Sequence, residues 1–209
     1  MRKMMESMAS FRSRAQAALI DVRYGGRILR GSLKTSNAHL GAHDIVHTKY
    51  EVLEVLFRGR VKDGDVLVDV GCGKGRVLNF WLRHYAHHKI YGIELESSVA
   101  SQTAKRLRNY SNVKIVSGDA CELLPDEGSL IYLYNPFNSE VMKRFMNKLS
   151  SGTPNRRVIY YNCACVDMFR SDPRFAVQDI DIKPARNQPP CALIEVMDVS
   201  RTSRCTQEV

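Results

Sequence analysis

The amino-acid sequence predicts a doubly wound α/β fold whose mostly parallel, seven-stranded sheet ends in an antiparallel hairpin. From residue 65 onward, short apolar runs alternate with longer amphipathic runs, which is the pattern of repeated strand–helix units. The last two apolar runs flank KPARNQPP with no long helix between them, so they predict the hairpin. At 209 residues the chain is long enough to bury a full core in one domain.

Each element has its own local signal. Apolar residues at helical spacing predict a helix over 44–58, and Gly59 ends it. The predicted strands are 65–70, 89–94, 112–117, 129–134, 156–162, 174–181 and 191–199, and the other predicted helices are about 7–20, 74–86, 97–109 and 138–150. We divide the chain into a basic N-terminal extension with a helical part, residues 1–43, and a domain of residues 44–209.

Positive charge is concentrated at the N-terminus. The chain has a net charge of +9, and residues 1–36 carry eight lysines and arginines against two acids. Such a basic arm predicts contact with nucleic acid or an acidic protein, and the alternative is a solvated, frayed terminus.

Composition indicates a cytoplasmic protein with no membrane contact. No apolar run approaches the roughly 20 residues that cross a bilayer. The N-terminus has a basic head without the apolar stretch of a secretory signal, and we interpret it as a simple extension rather than a transit peptide. Six cysteines without CxxC pairs are typical of buried, reduced thiols.

The segment VLVDVGCGKGRVLNFWL, which starts at Val66, is the most informative part of the chain. It predicts a buried strand, a glycine-rich turn and the first turn of a helix, in that order. Glycines let the backbone approach a ligand closely, and the free N–H groups of the helix N-terminus point toward it. This is the architecture of a site for a nucleotide-like cofactor.

Two phosphate-binding interpretations fit this loop poorly. A dinucleotide fingerprint is G-x-G-x-x-G, but here Arg76 fills the position of the third glycine. A P-loop requires Ser or Thr after its lysine, and Lys74 is followed by glycine. Asp69, two residues before the first glycine, would repel a pyrophosphate and suits a cationic ligand.

The loop resembles the first motif, [DE]-x-G-x-G-x-G, of class I S-adenosylmethionine-dependent methyltransferases. Three further motifs at strand ends extend this resemblance over roughly residues 44–200: YGIE at 91–94, GDA at 118–120 and YNPF at 134–137. The resemblance implies S-adenosyl-L-methionine as the cofactor, no metal, and methyl transfer as the activity. It implies cofactor-binding roles for Tyr50, Asp69, Gly71, Cys72, Gly73, Gly75, Glu94, Leu95, Gly118, Asp119 and Ala120.

Within that set the expected roles differ. Asp69 and the glycines would hold the methionine end, with Tyr50, His47 or Thr48 from the segment before the first strand nearby. Glu94 would hold the ribose, because a carboxylate accepts the two hydrogen bonds that vicinal hydroxyls donate. Asp119 and Ala120 would meet the adenine.

The acceptor side is predicted at Asn135, Pro136 and Phe137. An amide and a backbone carbonyl can accept from an amino group, and Phe137 can stack on a planar acceptor. The segment resembles the [ND]-P-P-[FY] loop of amino-directed methyltransferases, although one proline is missing. An amino nitrogen of a protein, nucleic acid or small molecule is therefore one possible acceptor, and a plain strand-end turn is the structural alternative.

Two other functions compete with methyl transfer. A binding module could keep the nucleoside pocket and transfer nothing. An NAD-dependent oxidoreductase fits less well, because the third glycine is displaced and no Tyr-x-x-x-Lys relay is evident. His39, His43 and His47 recur every four residues, but Gly41 argues against the continuous helix that a metal site on them would need.

Overall fold

The computed structural model describes residues 2–32, 34–44, 46–152, 155–182 and 188–198, with side chains from residue 11 onward. Within them the helices are α1 (Arg2–Gly25), α2 (Tyr50–Phe57), α3 (Arg76–His84), α4 (Ser97–Leu107), α5 (Ala120–Leu123), α6 (Ser139–Ser150) and α7 (Val166–Arg170), and a 3-10 turn spans Ala38–Leu40. The strands are β1 (Val66–Val70), β2 (Lys89–Glu94), β3 (Val113–Ser117), β4 (Leu130–Tyr134), β5 (Arg157–Tyr161), β6 (Phe175–Asp179) and β7 (Cys191–Val196).

The strands form one sheet in the order β3-β2-β1-β4-β5-β7-β6. The first five in chain order are parallel, with Val68 of β1 opposite Tyr91 on one side and Ile131 on the other. β7 lies antiparallel between β5 and β6. The predicted doubly wound sheet with a terminal antiparallel hairpin is therefore confirmed. The strand order reverses at β1 and β4, so the ligand crevice of such a sheet opens at their carboxyl ends.

Alternating residues of each strand feed two apolar cores, one on either face of the sheet. In β1, Leu67 packs with α2 and α3, and Val68 and Val70 pack with α6. Because side chains alternate along a strand, Asp69 lies on the same face of the sheet as Leu67, and it is only 3% exposed. A carboxylate in that position is costly to bury, so it marks a site rather than core.

Most predicted elements are present with boundaries shifted by a few residues. The exception is the helix predicted over 44–58, which begins only at Tyr50. Lys49 holds an extended conformation as the residue before the helix, with φ −69° and ψ 145°. The residues ahead of it instead run across the carboxyl edge of the sheet and reach β4, where the Thr48 hydroxyl lies 2.7 Å from that of Tyr132. Tertiary contacts thus override a local helical pattern here.

The N-terminal helix α1 is joined to the sheet domain through a buried carboxylate. Asp21 is fully buried and accepts hydrogen bonds from the Tyr50 hydroxyl at 2.6 Å, the Leu29 N–H at 3.0 Å and the Arg76 guanidinium at 3.0 Å. The proposed division of the chain at residue 43 stays a prediction. Among the described helices, none has the length and apolar character that crossing a membrane requires.

Candidate functional site

The glycine loop between β1 and α3 bends back over the end of β2. Gly71, Gly73 and Gly75 all have positive φ, at 76°, 52° and 77°, a region that side-chain-bearing residues rarely occupy. The Gly71 N–H donates to the Ile93 carbonyl at 2.8 Å, and the Gly73 N–H donates to the Glu94 carboxylate at 2.8 Å. The loop backbone therefore borders the crevice, and Gly75 is the residue before the first turn of α3.

A cavity of about 190 Å³ lies over the carboxyl ends of β1 to β4. Its walls combine residues from the strand ends with residues from the segment that precedes α2. Eight of the residues predicted from sequence line it: Gly71, Glu94, Leu95, Gly118, Asp119, Ala120, Pro136 and Phe137. The four motifs, which lie up to 66 positions apart in the sequence, therefore converge on one cavity.

Glu94 is held in place at the end of β2. It is 5% exposed, and its two oxygens accept from the N–H groups of Gly73 at 2.8 Å and Glu96 at 2.9 Å. Burial raises its pKa, and these two hydrogen bonds oppose that shift. Each carboxylate oxygen can accept a further hydrogen bond. Glu94 therefore has the geometry to receive a pair of hydroxyl donors from the cavity.

Asp119 is the N-cap of α5 and pairs with Arg144 of α6. One oxygen accepts from the Cys121 N–H at 2.8 Å, and the other lies 2.8 Å from the Arg144 guanidinium. Partial burial works against the charged form, but the hydrogen bonds from Cys121 and Arg144 outweigh it, so the pKa of Asp119 lies below its usual range. This end of the cavity thus carries a fixed carboxylate beside a cation.

A recess of about 20 Å³ adjoins the cavity and shares Val46, Gly71 and Tyr134 with it. Asp69 lines the recess, and burial, followed by the nearby charge of Glu94, raises its pKa well above the usual range. His47 also lines it, and His47 Nε2 is buried without a hydrogen-bond partner among the described residues.

Burial, followed by the charges of Arg76 and Lys74, lowers the pKa of His47 to about 4. The Arg76 Nε in the same wall is likewise buried and unpartnered among the described residues. Unpaired buried polar atoms are costly, so these two atoms are available to a polar ligand or a water molecule in the recess.

Two more of the predicted cofactor residues, Tyr50 and Cys72, are buried next to the site. Tyr50 does not line the cavity or the recess; its hydroxyl donates to Asp21, and the Arg76 guanidinium carbon lies 5.6 Å from the Tyr50 ring centroid. Cys72 lines the recess, although it is only 5% exposed and its thiol packs where a side chain at Gly92 would be. Their direct contact with a cofactor stays a prediction.

Arg76 and Asp21 are residues that the sequence interpretation missed. Arg76 stands where a dinucleotide fingerprint has its third glycine, and that departure was the available signal. Asp21 had no comparable signal, because its partners Tyr50 and Arg76 are 29 and 55 residues away.

The predicted acceptor segment follows β4. Asn135 has a φ of 41°, and its side-chain oxygen accepts from the Tyr160 hydroxyl at 2.9 Å. Pro136 and Phe137 line the cavity, and the Phe137 ring lies 5.3 Å from that of Phe145. Asn135 itself is at the rim, with its side chain turned to β5.

A covering segment, residues 34–44 and 46–49, forms part of the cavity wall. The side chains of Ser36 and Asn37 donate to Glu96, and the Thr35 N–H donates to Asp44 at 3.0 Å. Thr35, Leu40, Ala42, His43, Asp44 and Val46 form its part of the cavity wall. None of these six was among the predicted site residues, because a loop that crosses a sheet edge has no periodic sequence pattern.

Basic residues flank the covering segment on its other side. A shallow cleft of about 480 Å³ is lined by Arg27, Lys34 and Lys74 together with Glu96. The Lys74 ammonium donates to the Arg30 carbonyl at 2.8 Å, and burial, followed by the charges of Arg27 and Arg76, lowers its pKa. Contact of this basic region with nucleic acid or an acidic protein stays a prediction.

Sequence comparison finds a family model that is similar to the middle of the chain. Residues 67–151 match the model of a family described as methyltransferase domain. Curated relatives include a protein of Archaeoglobus fulgidus named probable cobalt-precorrin-6B C(15)-methyltransferase (decarboxylating), 35% identical over 78 residues, which are 37% of this chain and 45% of the relative. The protein of the same name from Methanosarcina mazei is 33% identical over 86 residues, 40% and 47% of the two chains. The chain spans about half the length of the curated relatives it matches.

Solved structures of methyltransferases share the fold of this chain. A methyltransferase from Pyrococcus furiosus superposes with a TM-score of 0.61 at 15% identity, over 91% of this chain and 100% of the other. An RNA methyltransferase from Salinibacter ruber, solved in complex with S-adenosyl-L-homocysteine, superposes with a TM-score of 0.56 at 20% identity, over 74% and 95% of the two chains. At these identities the likeness establishes the fold, and it agrees with the motifs and the family match.

Proposed function

We propose that this chain, which carries a class I S-adenosylmethionine-dependent methyltransferase domain, transfers a methyl group from S-adenosyl-L-methionine to an acceptor bound at the end of β4. One observation carries the proposal. Three successive strand ends each present a carboxylate, Asp69, Glu94 and Asp119, along a single cavity and its recess. A row of acids would repel the pyrophosphate of NAD, but it matches a ligand with an ammonium group, vicinal hydroxyls and an aminopurine.

The residues present fit that cofactor along its whole length. In the recess, the Asp69 carboxylate suits the ammonium group of the methionine end, and His47 Nε2 and the Arg76 Nε are unpartnered atoms for its polar groups. Glu94 has acceptor capacity left for the ribose hydroxyls. Asp119 and Ala120 border the remaining part of the cavity, where the adenine would lie. When bound, the cofactor supplies a methyl group activated by a positively charged sulfur.

The chain's own contribution to such a reaction is alignment and exclusion of water. The glycine loop and the three acids hold one reactant, and Tyr134, Pro136 and Phe137 border the space left for the other. The covering segment forms a further wall of this space and limits its contact with water. Fixing two reactants in line removes much of the entropic part of a displacement barrier.

An amino acceptor, which the YNPF motif suggested, gains little support from this arrangement. The two oxygens it would use are the Asn135 side-chain carbonyl and the Pro136 backbone carbonyl. The first accepts from Tyr160, and the second accepts from the His43 N–H at 3.0 Å. Each oxygen therefore has only one lone pair left for an amino group. The names of the curated relatives support a small-molecule acceptor, and the name of one structural neighbour supports RNA.

Calorimetry tests cofactor choice directly. S-adenosyl-L-homocysteine should bind the wild-type protein, and NAD should not bind at comparable concentration. Tight binding of NAD, with no binding of S-adenosyl-L-homocysteine, would overturn the proposal. The rival function of a non-catalytic binding module is tested separately, by incubation with methyl-labelled cofactor and fractionated cell extract. Binding without label transfer to any fraction would favour that module.

A further inference from the structure

His43 is held at the cavity rim by two backbone segments that pair across the acceptor side. The His43 N–H donates to the Pro136 carbonyl at 3.0 Å, and the Asn138 N–H donates to the Gly41 carbonyl at 2.9 Å. Ala42 and Phe137 face each other in this short antiparallel bridge. The covering segment therefore brings a histidine to the acceptor side of the cavity, which His43 lines.

The tautomer of His43 follows from its hydrogen bond. Its Nδ1 lies 2.8 Å from the Asn135 backbone carbonyl, which can only accept, so Nδ1 carries the proton. The Asn135 side-chain nitrogen is 3.3 Å from the same Nδ1, but it is also a donor and adds no bond. In the neutral ring, Nε2 then has the free lone pair. An imidazole oriented by a carbonyl on one nitrogen is poised to accept a proton on the other.

The residue that orients His43 is itself strained. Asn135 has a φ of 41°, in the left-handed region that non-glycine residues rarely adopt. Such a conformation persists only where the surrounding structure maintains it, and it occurs preferentially at functional sites. Here the Tyr160 hydroxyl holds the Asn135 side chain while the Asn135 carbonyl holds the His43 ring.

The three carboxylates of the cavity wall have partners that compete for their protonation. Glu94 accepts from two backbone N–H groups, Asp119 pairs with Arg144, and Asp44 accepts from the Thr35 N–H. Glu94 and Asp119 also stand over β2 and β3, away from the acceptor segment that follows β4. His43 is thus the base best placed to serve an acceptor beside Pro136.

We propose that His43 is the general base for a hydroxyl acceptor. This rests on the proposed function and specifies its substrate class. A neutral amine has its own lone pair and attacks without prior loss of a proton, whereas a hydroxyl is a weak nucleophile until its proton is removed. The site engages the Asn135 and Pro136 backbone oxygens with His43 and leaves an imidazole nitrogen for the acceptor.

The proposed step is balanced in atoms and charge. The acceptor oxygen forms a bond to the methyl carbon while the bond between that carbon and the positively charged sulfur breaks. The electron pair of the broken bond stays on sulfur, which becomes a neutral thioether. The hydroxyl proton passes to His43 Nε2, and the imidazolium then releases it to solvent.

The tautomer can be measured without any turnover. Two-bond ¹⁵N–¹H correlation spectra of the histidine rings should show His43 with Nδ1 protonated and Nε2 bare at pH 8, with His43→Asn used for assignment. This asparagine keeps a side-chain N–H near the position of Nδ1, so the contact with the Asn135 carbonyl is preserved while the base is lost. A ring protonated at Nε2 instead would overturn the proposal.

Activity on paired probes tests the acceptor class. Phenol and 3-hydroxybenzoate are compared with aniline and 3-aminobenzoate, using methyl-labelled cofactor. The hydroxyl member of each pair should be methylated faster, and His43→Asn should reduce that rate about 100-fold or more, the usual contribution of a general base. The matched control is His39→Asn, an exposed histidine on the neighbouring 3-10 turn that does not line the cavity.

Undiminished turnover in His43→Asn, or faster methylation of the amino probes, would also overturn the proposal. Calorimetry with S-adenosyl-L-homocysteine on wild type and His43→Asn separates this failure from failure of the proposed function. If both proteins bind S-adenosyl-L-homocysteine but the ring is protonated at Nε2 or the amino probes react faster, only the proposed role of His43 is refuted. If neither protein binds S-adenosyl-L-homocysteine, the proposed function itself is refuted.

Discussion

Replacement of Glu94 by alanine should weaken both the fold and cofactor binding, and the structure separates the two effects. The Glu94 carboxylate accepts from the N–H groups of Gly73 and Glu96 before any ligand is present. It therefore holds the glycine loop against the end of β2 as well as facing the cavity. A residue that only met the ribose would leave the stability of the free protein unchanged.

The expected magnitude follows from the bonds that are lost. A hydrogen bond to a charged group contributes about 1.5–3 kcal/mol, and relief of the buried charge returns part of this, so Glu94→Ala should lower the free energy of unfolding by about 2–4 kcal/mol. For a chain of this size the melting temperature should fall by roughly 5–15 °C. Loss of the bonds to the ribose should cost about 1–3 kcal/mol of cofactor affinity, or roughly 5- to 150-fold in Kd.

Two further variants sharpen the measurement. Glu94→Gln keeps one acceptor oxygen, so it should retain one backbone hydrogen bond and lose about half as much stability. Glu127→Gln is the matched control for loss of a charge, because Glu127 is exposed and accepts from Tyr91 outside the cavity. It should change the free energy of unfolding by no more than about 0.5 kcal/mol.

Melting curves and calorimetry with S-adenosyl-L-homocysteine, on the same preparations of all four proteins, provide the assay. An alanine variant that melts like the wild type would show that the two backbone contacts of Glu94 are not maintained in solution. If Glu94→Ala is destabilised but binds S-adenosyl-L-homocysteine with the wild-type dissociation constant, Glu94 holds the glycine loop and does not bind the ribose.

The remaining predictions concern the recess, α1 and the acceptor segment. Because the pKa of His47 is about 4 when folded and about 6.5 when unfolded, the unfolded state binds more protons between these values, and stability falls as pH drops from 6.5 to 4. His47→Gln should abolish this loss, up to about 3 kcal/mol, in denaturant titrations at pH 7 and 4; equal pH dependence of the two proteins would contradict it. Asp21→Ala breaks a buried pair with Arg76 and should cost about 3–5 kcal/mol in unfolding free energy; a loss below 1 kcal/mol would mean that α1 contributes little to the fold. Asn135→Ala should lower the melting temperature and leave cofactor binding unchanged. Tyr160→Phe is its control, because it removes the same hydrogen bond and keeps the Asn135 side chain. If Asn135 contacts the acceptor, single-turnover methyl transfer should fall more in Asn135→Ala than in Tyr160→Phe.

The sheet and the glycine loop could be predicted because their signals are local. Each buried strand is a short apolar run, each helix has a periodic stripe, and the turn between β1 and α3 has glycines at the positions where φ is positive. The acids Asp69, Glu94 and Asp119 follow from the same reasoning. In a parallel sheet the carboxyl ends of successive strands share one edge, so chain order alone brings these acids together.

Local reasoning failed where a segment's conformation depends on partners far away in the chain. The helix predicted to start at residue 44 begins at Tyr50, because the preceding residues bind β4 and the acceptor segment instead. The short helices α5 and α7 were also missed, since four or five residues are too few to show a helical period.

The sequence by itself determined the fold class, the glycine loop and the order of acids along the sheet edge, because periodicity and turn chemistry act over a few neighbouring residues. Only the tertiary structure decided which groups meet beside the predicted acceptor segment. His43 and Asn135 are 92 residues apart, and Arg76 and Asp21 are 55 apart. Their contacts arise from the path of the covering segment and the packing of α1. No repeat or propensity encodes such a path, since it is set by burial and hydrogen bonding across the whole domain.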